Sequence, residues 1–79
     1  MMKEEEIKEQ LMSSSADFRR LAEEHHDCEV KLQDLLSHQH LTEQDLLEEI
    51  NLKKKKLHLK DQMNAMVLKV RNELSHQPT

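Results

Sequence analysis

Apolar side chains recur at alternating intervals of four and three residues through the first half of the chain. Because an α-helix turns about 100° per residue, positions with this spacing fall on one narrow stripe. Seven of the nine positions are apolar when cysteine is counted. The stripe, called the seam below, consists of Ile7, Leu11, Ser14, Phe18, Leu21, His25, Cys28, Leu32 and Leu35. The pattern predicts an amphipathic helical segment that buries the seam against another helix.

Three consecutive serines, Ser13 to Ser15, interrupt this helical pattern. A serine hydroxyl competes for backbone hydrogen bonds and therefore favours the start of a helix over its interior. We expect a short, fraying helix over residues 3–12, a break at the serines and a firm helix over residues 16–37. Ser15 is the expected N-cap, with Asp17 placed to complement the helix dipole. Residues 1–15 are expected to be a less ordered N-terminal segment.

A second helix is predicted from the segment that begins at Thr42. Thr42-Glu43-Gln44-Asp45 has the form of a capping box in which Asp replaces the usual Glu. A connection of about four residues forces the next helix to return antiparallel to the first. This helix should cover residues 43–74, since neither Gly nor Pro interrupts it, and residues 75–79 should form a frayed tail. The expected fold is all-α: one antiparallel two-helix hairpin domain over residues 1–79.

The predicted second helix carries apolar side chains on two faces. A single partner helix can cover only one of them, so we expect the other face to be buried by self-association into a helical bundle, a dimer first and a tetramer second. Whether the methionines of the second face form an adaptable docking strip or ordinary core is open. One face consists of Leu46, Leu47, Ile50, Leu57 and Leu68, and the other of Leu52, Leu59, Met63, Met66, Val70 and Leu74.

The composition argues against an enzyme. The 79 residues include no Gly and one aromatic side chain. A chain this short with so few large apolar groups rarely encloses a catalytic pocket, and without Gly it lacks the loops that cradle phosphates. We therefore expect no catalytic residues and no cofactor, and predict a protein-protein interaction module that associates with itself.

A basic segment gives an alternative prediction, a nucleic-acid-associated protein. The basic edge of the second helix would consist of Lys53, Lys54, Lys55, Lys56, Lys60, Lys69 and Arg71. The net charge of −4 opposes this reading, and four consecutive lysines spread over about 300° of a helix rather than forming one patch. In the hairpin, Asp27 and Glu29 lie within reach of the lysine run, so we expect a salt-bridged surface.

His25 and Cys28 share one helix face and are the only neighbours with the character of soft metal ligands. Two ligands do not make a site, and the other histidines supply no pair at a spacing of four residues, so no metal is expected. The preferred interpretation is a core thiol and a hydrogen-bonded core histidine. A single cysteine forms no internal disulfide, and no apolar run has the length of a membrane span. We therefore expect a cytoplasmic protein without membrane contact.

Asp61 and Asn64 interrupt the face that includes Leu57. Buried polar groups need partners, and the expected hairpin places Asp61 near Arg19 and Arg20. Our hypothesis is that buried polar contacts of Asp61 and of His25 fix the register of the hairpin.

Two segments carry a family resemblance. Residues 18–26, Phe-Arg-Arg-Leu-Ala-Glu-Glu-His-His, and residues 52–63, Leu-Lys-Lys-Lys-Lys-Leu-His-Leu-Lys-Asp-Gln-Met, resemble the YdcH-like family of small bacterial proteins, a domain of unknown function. The resemblance covers residues 18–67 and implies a short helical hairpin in the bacterial cytoplasm without an assigned activity. It places His25, Lys60 and Asp61 at characteristic positions. Cys28 and Glu29 depart from the usual Leu and Asp.

Overall fold

The structure, a computed structural model, describes residues 3–75. These residues form three α-helices: α1 spans Glu4–Ser14, α2 spans Ala16–Leu36 and α3 spans Glu43–Ser75. The prediction of an all-helical chain is confirmed, with a long α2 and α3 preceded by a short α1. Residues 1–2 of the predicted less ordered segment and residues 76–79 of the predicted tail lie outside the described residues.

Ser15 alone separates α1 from α2. Its backbone is extended (φ −118°, ψ 113°), and the backbone N–H of Phe18 donates to the Ser15 hydroxyl oxygen over 3.1 Å, which confirms the predicted N-cap. The guanidinium of Arg19 donates to the carbonyl oxygens of Met12 and Ser13, at 2.9 and 3.2 Å. It thereby satisfies carbonyl groups that the end of α1 leaves without helical partners.

The predicted break was too wide, because Ser13 and Ser14 belong to α1. Their hydroxyls donate to the carbonyl oxygens one turn back, those of Glu9 at 3.2 Å and Gln10 at 2.8 Å. This bonding lets a serine remain within a helix. Helix α1 therefore ends at Ser14, two residues after its predicted end at residue 12.

The turn between α2 and α3 covers residues 37–42 and ends in the predicted capping box. The backbone N–H of Asp45 donates to the Thr42 hydroxyl over 3.1 Å, and the N–H of Thr42 donates to the Asp45 carboxylate over 3.0 Å. At the end of α2, the Ser37 hydroxyl donates to the carbonyl oxygen of Asp34 over 2.6 Å. Both ends of the turn are thus fixed by side chains.

The seam forms the core of the hairpin. All seven of its apolar positions are buried, while Ser14 is exposed and His25 is half-buried. Leu21 and Cys28 of α2 form one cluster with Leu59 of α3. Phe18, near the start of α2, clusters with Val67 in the last third of α3, and Glu29, later in α2, contacts Lys56, earlier in α3. The two helices are therefore antiparallel, as predicted.

Helix α1 packs against both long helices at the end far from the turn. Ile7 and Leu11 join Phe18 of α2 and Val67 of α3 in a second buried cluster. The segment expected to be less ordered thus contains a helix whose two largest apolar side chains are buried. The resulting rod measures 60 × 19 × 18 Å along its principal axes. Within the described residues, no helix is both long and apolar enough to cross a bilayer.

The junction at Ser15 gives a prediction. Ser15→Ala removes the hydroxyl that caps α2 and should lower the free energy of unfolding by about 1 kcal/mol. Ser14→Ala is the matched control, because this exposed hydroxyl bonds only within α1 and alanine is the better helix former; it should be neutral or slightly stabilising. Thermal unfolding followed by circular dichroism measures both. Equal effects of the two substitutions would contradict the capping role.

Candidate interaction surface

The two faces of α3 have different surroundings. The inner face, made by Leu52, Leu59, Met63, Met66 and Val70, packs on the seam and on α1. Met63 and Met66 are half-buried and contact both clusters, so they belong to the core of the hairpin. Leu74, predicted to share this face, is instead 43% exposed.

The other face of α3 points away from the hairpin, and its apolar members are called the outer stripe. Their exposed fractions lie between 46% and 62%. At about 1.5 Å per residue, the stripe extends over roughly 33 Å of helix. It consists of Leu46, Leu47, Ile50, Leu57 and Leu68. Asp61 and Asn64 interrupt the stripe between Leu57 and Leu68. Even so, five exposed apolar side chains aligned on one face mark an interaction surface more often than scattered apolar residues do.

The hypothesis that buried contacts of Asp61 fix the hairpin register is wrong. Asp61 and Asn64 lie on the outer side of α3 and are exposed. Arg19 binds the end of α1 instead, and Arg20 contacts Asp17 over 3.8 Å within α2. The inner face of α3 carries apolar side chains without a polar interruption, so this face packs against the seam. Asp61 then lies on the solvent side of α3.

The lysine run is partly neutralised. The Nζ atom of Lys53 lies 3.8 Å from a carboxylate oxygen of Glu49, and Nζ of Lys56 lies 3.5 Å from a carboxylate oxygen of Glu29. The second contact joins α3 to α2, as the sequence predicts for Glu29. Lys54 and Lys55 are exposed. A phosphate-binding surface requires basic groups that neighbouring acids do not cancel, so this run offers only two such side chains.

His25 and Cys28 lie on the seam as expected, but only the cysteine is a full core residue. Cys28 is 2% exposed and packs with Leu21 and Leu59. Nδ1 of His25 lies 3.3 Å from a carboxylate oxygen of Glu29, whereas Nε2 is shielded from water and has no hydrogen-bond partner. Among residues 3–75, no group of three or more His, Cys, Asp or Glu side chains is placed to hold a metal ion.

Comparison with known proteins adds a family assignment without an activity. The profile of a family described as "Protein of unknown function (DUF465)" matches residues 18–67, which run from the first turn of α2 into the last third of α3. No curated protein and no solved structure shows significant similarity to this chain.

The unpartnered nitrogen of His25 gives a prediction about stability. A buried polar atom without a hydrogen bond costs about 1–3 kcal/mol, more than the partly exposed contact between His25 and Glu29 contributes. His25→Leu should therefore keep the helices and raise the melting temperature. The neighbouring His26 is exposed, and His26→Gln should leave the melting temperature nearly unchanged. A destabilised or unfolded His25→Leu protein would show that Nε2 has a structural partner.

Proposed function

The chain belongs to the DUF465 family of proteins of unknown function, and we propose that it works as an interaction subunit that pairs with a second copy of itself through the outer stripe of α3. The exposure of five large aliphatic side chains along one face of α3 carries this proposal. Two hairpins that share this face would bury both stripes and form a four-helix core flanked by the two α1 helices.

The spacing of the stripe favours an antiparallel pair with its two-fold axis at Leu57. Leu46 precedes Leu57 by eleven positions and Leu68 follows it by eleven, so Leu46 faces Leu68 of the partner subunit. Leu57 then meets Leu57 of the partner subunit on the axis. In a two-fold interface every contact away from the axis occurs twice, so the contact between Leu46 and Leu68 of the partner subunit forms at both ends of the interface.

The charges beside the stripe favour the same arrangement. Lys54 and Asp61 flank it on one side, seven residues apart, and neither has an ion-pair partner among residues 3–75. An antiparallel pair centred on Leu57 brings Lys54 close to Asp61 of the partner subunit. A parallel pair in register has its two-fold axis along the helices, which puts these side chains of the two subunits on opposite edges of the interface, so the contact does not form.

Substitution at the two-fold axis should separate the subunits. Leu57→Glu removes an apolar contact of about 2 kcal/mol from each copy and so should weaken dimerisation about a thousandfold. Val30→Glu is the matched control, because Val30 is 49% exposed on α2, away from the stripe. Sedimentation equilibrium should find dimers of the unsubstituted and Val30→Glu proteins, and monomers of Leu57→Glu with unchanged helix content. A monomeric unsubstituted protein at micromolar concentration would refute the proposal.

A charge exchange tests the direction of pairing. Asp61→Lys should weaken the dimer roughly fivefold to tenfold, since it sets Lys54 against a lysine of the partner subunit twice per dimer. Adding Lys54→Glu to this protein should restore the affinity. If the double substitution is as weak as the single one, the two subunits do not pair in this antiparallel register.

A nucleic-acid-associated role remains the alternative prediction, and the same sedimentation experiment distinguishes it. Binding to phosphates weakens steeply as salt rises, whereas association through apolar surface does not. Self-association that persists at moderate salt, without binding to an added DNA duplex at low salt, supports the interaction subunit. Salt-sensitive binding of the duplex through Lys54 and Lys55 would support the alternative instead.

A further inference from the structure

Helix α1 folds back beside the hairpin at a single residue, Ser15. Lys8, in the middle of α1, lines a groove with His25 of α2. Ser14, at the end of α1, lines another groove with Leu74 of α3. Helix α1 therefore runs antiparallel to α2 and parallel to α3. This arrangement, called the bent form below, depends on the extended backbone of one residue.

The backbone hydrogen bonds on either side of Ser15 are already those of an uninterrupted helix. The N–H of Ser15 donates to the carbonyl oxygen of Leu11 over 2.8 Å, and the N–H of Arg19 donates to the carbonyl oxygen of Ser15 over 3.1 Å. Both bonds join residues four apart, as in an α-helix. Only three further backbone bonds, accepted by residues 12, 13 and 14, are needed to make α1 and α2 one straight helix.

In the bent form, side chains make the contacts that would replace those three bonds. The guanidinium of Arg19 donates to the carbonyl oxygens of Met12 and Ser13, and the Ser15 hydroxyl accepts from the N–H of Phe18. Straightening exchanges three contacts of side chains for three backbone bonds, and the net contribution of each kind to stability is similar. The bent and straight forms of the chain at Ser15 are therefore nearly balanced in hydrogen bonding.

The seam keeps its spacing of four and three residues across Ser15. Leu11 and Phe18 lie seven residues apart, so one straight helix would carry them on the same stripe. The bent form does not require this spacing, because the reversal at Ser15 separates the orientation of α1 from that of α2. A continuous stripe is required only where one long helix buries both of its halves on the same side.

Straightening removes α1 from the surface on which it docks. Ile7 is fully buried and packs with Phe18 and Val67, so these side chains would meet water without α1. A helix of eleven residues is also marginal when it packs on nothing. A second copy of the chain offers the same helix and the same docking surface, so an exchange of α1 between two copies restores these contacts.

We propose that two copies of this chain associate by exchanging α1. In each copy α1 and α2 form one helix over residues 4–36, and Ile7 packs against Phe18 of the partner subunit. The two hairpins meet at the ends far from their turns, related by a two-fold axis near Ser15. Because the contacts of α1 are the same in both forms, protein concentration determines the exchanged fraction.

This exchange goes beyond the proposed pairing through the outer stripe. None of the residues in the cluster that α1 covers belongs to that stripe. Exchange also puts an identical helix in the same place, so the outer stripe is unchanged by it. Leu57→Glu removes only the pairing through the stripe, and a failure of either proposal leaves the other standing.

Cross-linking distinguishes α1 docked on its own copy from α1 docked on a partner. Gln10 of α1 and Glu73 of α3 are exposed and line one groove. In the Leu57→Glu protein, with Cys28 replaced by alanine, a short bismaleimide joins Gln10→Cys to Glu73→Cys. Denaturing electrophoresis shows a monomer for the bent form and a covalent dimer for the exchanged form. After refolding at millimolar concentration we expect both bands, and after refolding at micromolar concentration the monomer alone.

Substitutions at the junction should shift this balance in opposite directions. Ser15→Ala removes a cap that only the bent form uses, twice per dimer, and should strengthen the exchanged dimer about twentyfold. Ala16→Pro should abolish the covalent dimer. Proline is tolerated at the first position of α2 and favours the extended backbone of the preceding residue, whereas inside a straight helix it breaks a hydrogen bond and clashes.

Ser14→Ala is the matched control, because this hydroxyl bonds within α1 in both forms, and it should leave the amount of dimer unchanged. The series is repeated with Leu57 intact. Pairing through the outer stripe keeps Gln10 about 40 Å from Glu73 of the partner subunit, so it forms no covalent dimer. The proposal is overturned by a monomer alone from Ser15→Ala at millimolar concentration, by as much dimer from Ala16→Pro as from the unsubstituted junction, or by equal amounts from Ser15→Ala and Ser14→Ala.

Discussion

The packing of the inner face of α3 against the seam determines which apolar side chains of α3 are buried and which are exposed. Leu59 inserts beside Leu21 and Cys28, and Val67 is closed over by α1. Because α3 carries apolar side chains on two opposite sides, burying the inner face necessarily presents the outer stripe to solvent. The hairpin is therefore complete as a fold while its surface still has apolar area to bury. The proposed pairing of two copies would cover this stripe.

The core contains one position that stability alone does not explain. Two polar side chains interrupt the seam: Ser14 is exposed, whereas the Nε2 atom of His25 is shielded from water without a hydrogen-bond partner. Such an atom lowers the stability of the hairpin, because its hydrogen bonds to water are lost on folding and are not replaced. Helix α1 adds stability elsewhere on the seam, where it covers Phe18 and Val67.

Local rules predict much of this fold from the sequence. The repeat of four and three residues identifies every buried side chain of α1 and α2, and the caps at Ser15 and Thr42 follow from side chains that act within one turn. Contacts between distant elements were harder to predict. Val67 is buried because α1 docks beside the hairpin. The position of Asp61 depended on which of two similar faces packs inward, a choice that periodicity leaves open.

The distance between equivalent residues of two subunits tests the central claim most directly. With Cys28 replaced by alanine, a spin label at Glu43→Cys, fourteen residues from Leu57, reports this distance by dipolar electron resonance. Antiparallel pairing about Leu57 separates the two labelled backbones by twenty-eight residues of helix rise, about 42 Å. A parallel pair would bring them to about 10 Å, the usual spacing of packed helices. A peak near 42 Å is the result predicted here, and a short distance or no dipolar coupling would contradict it.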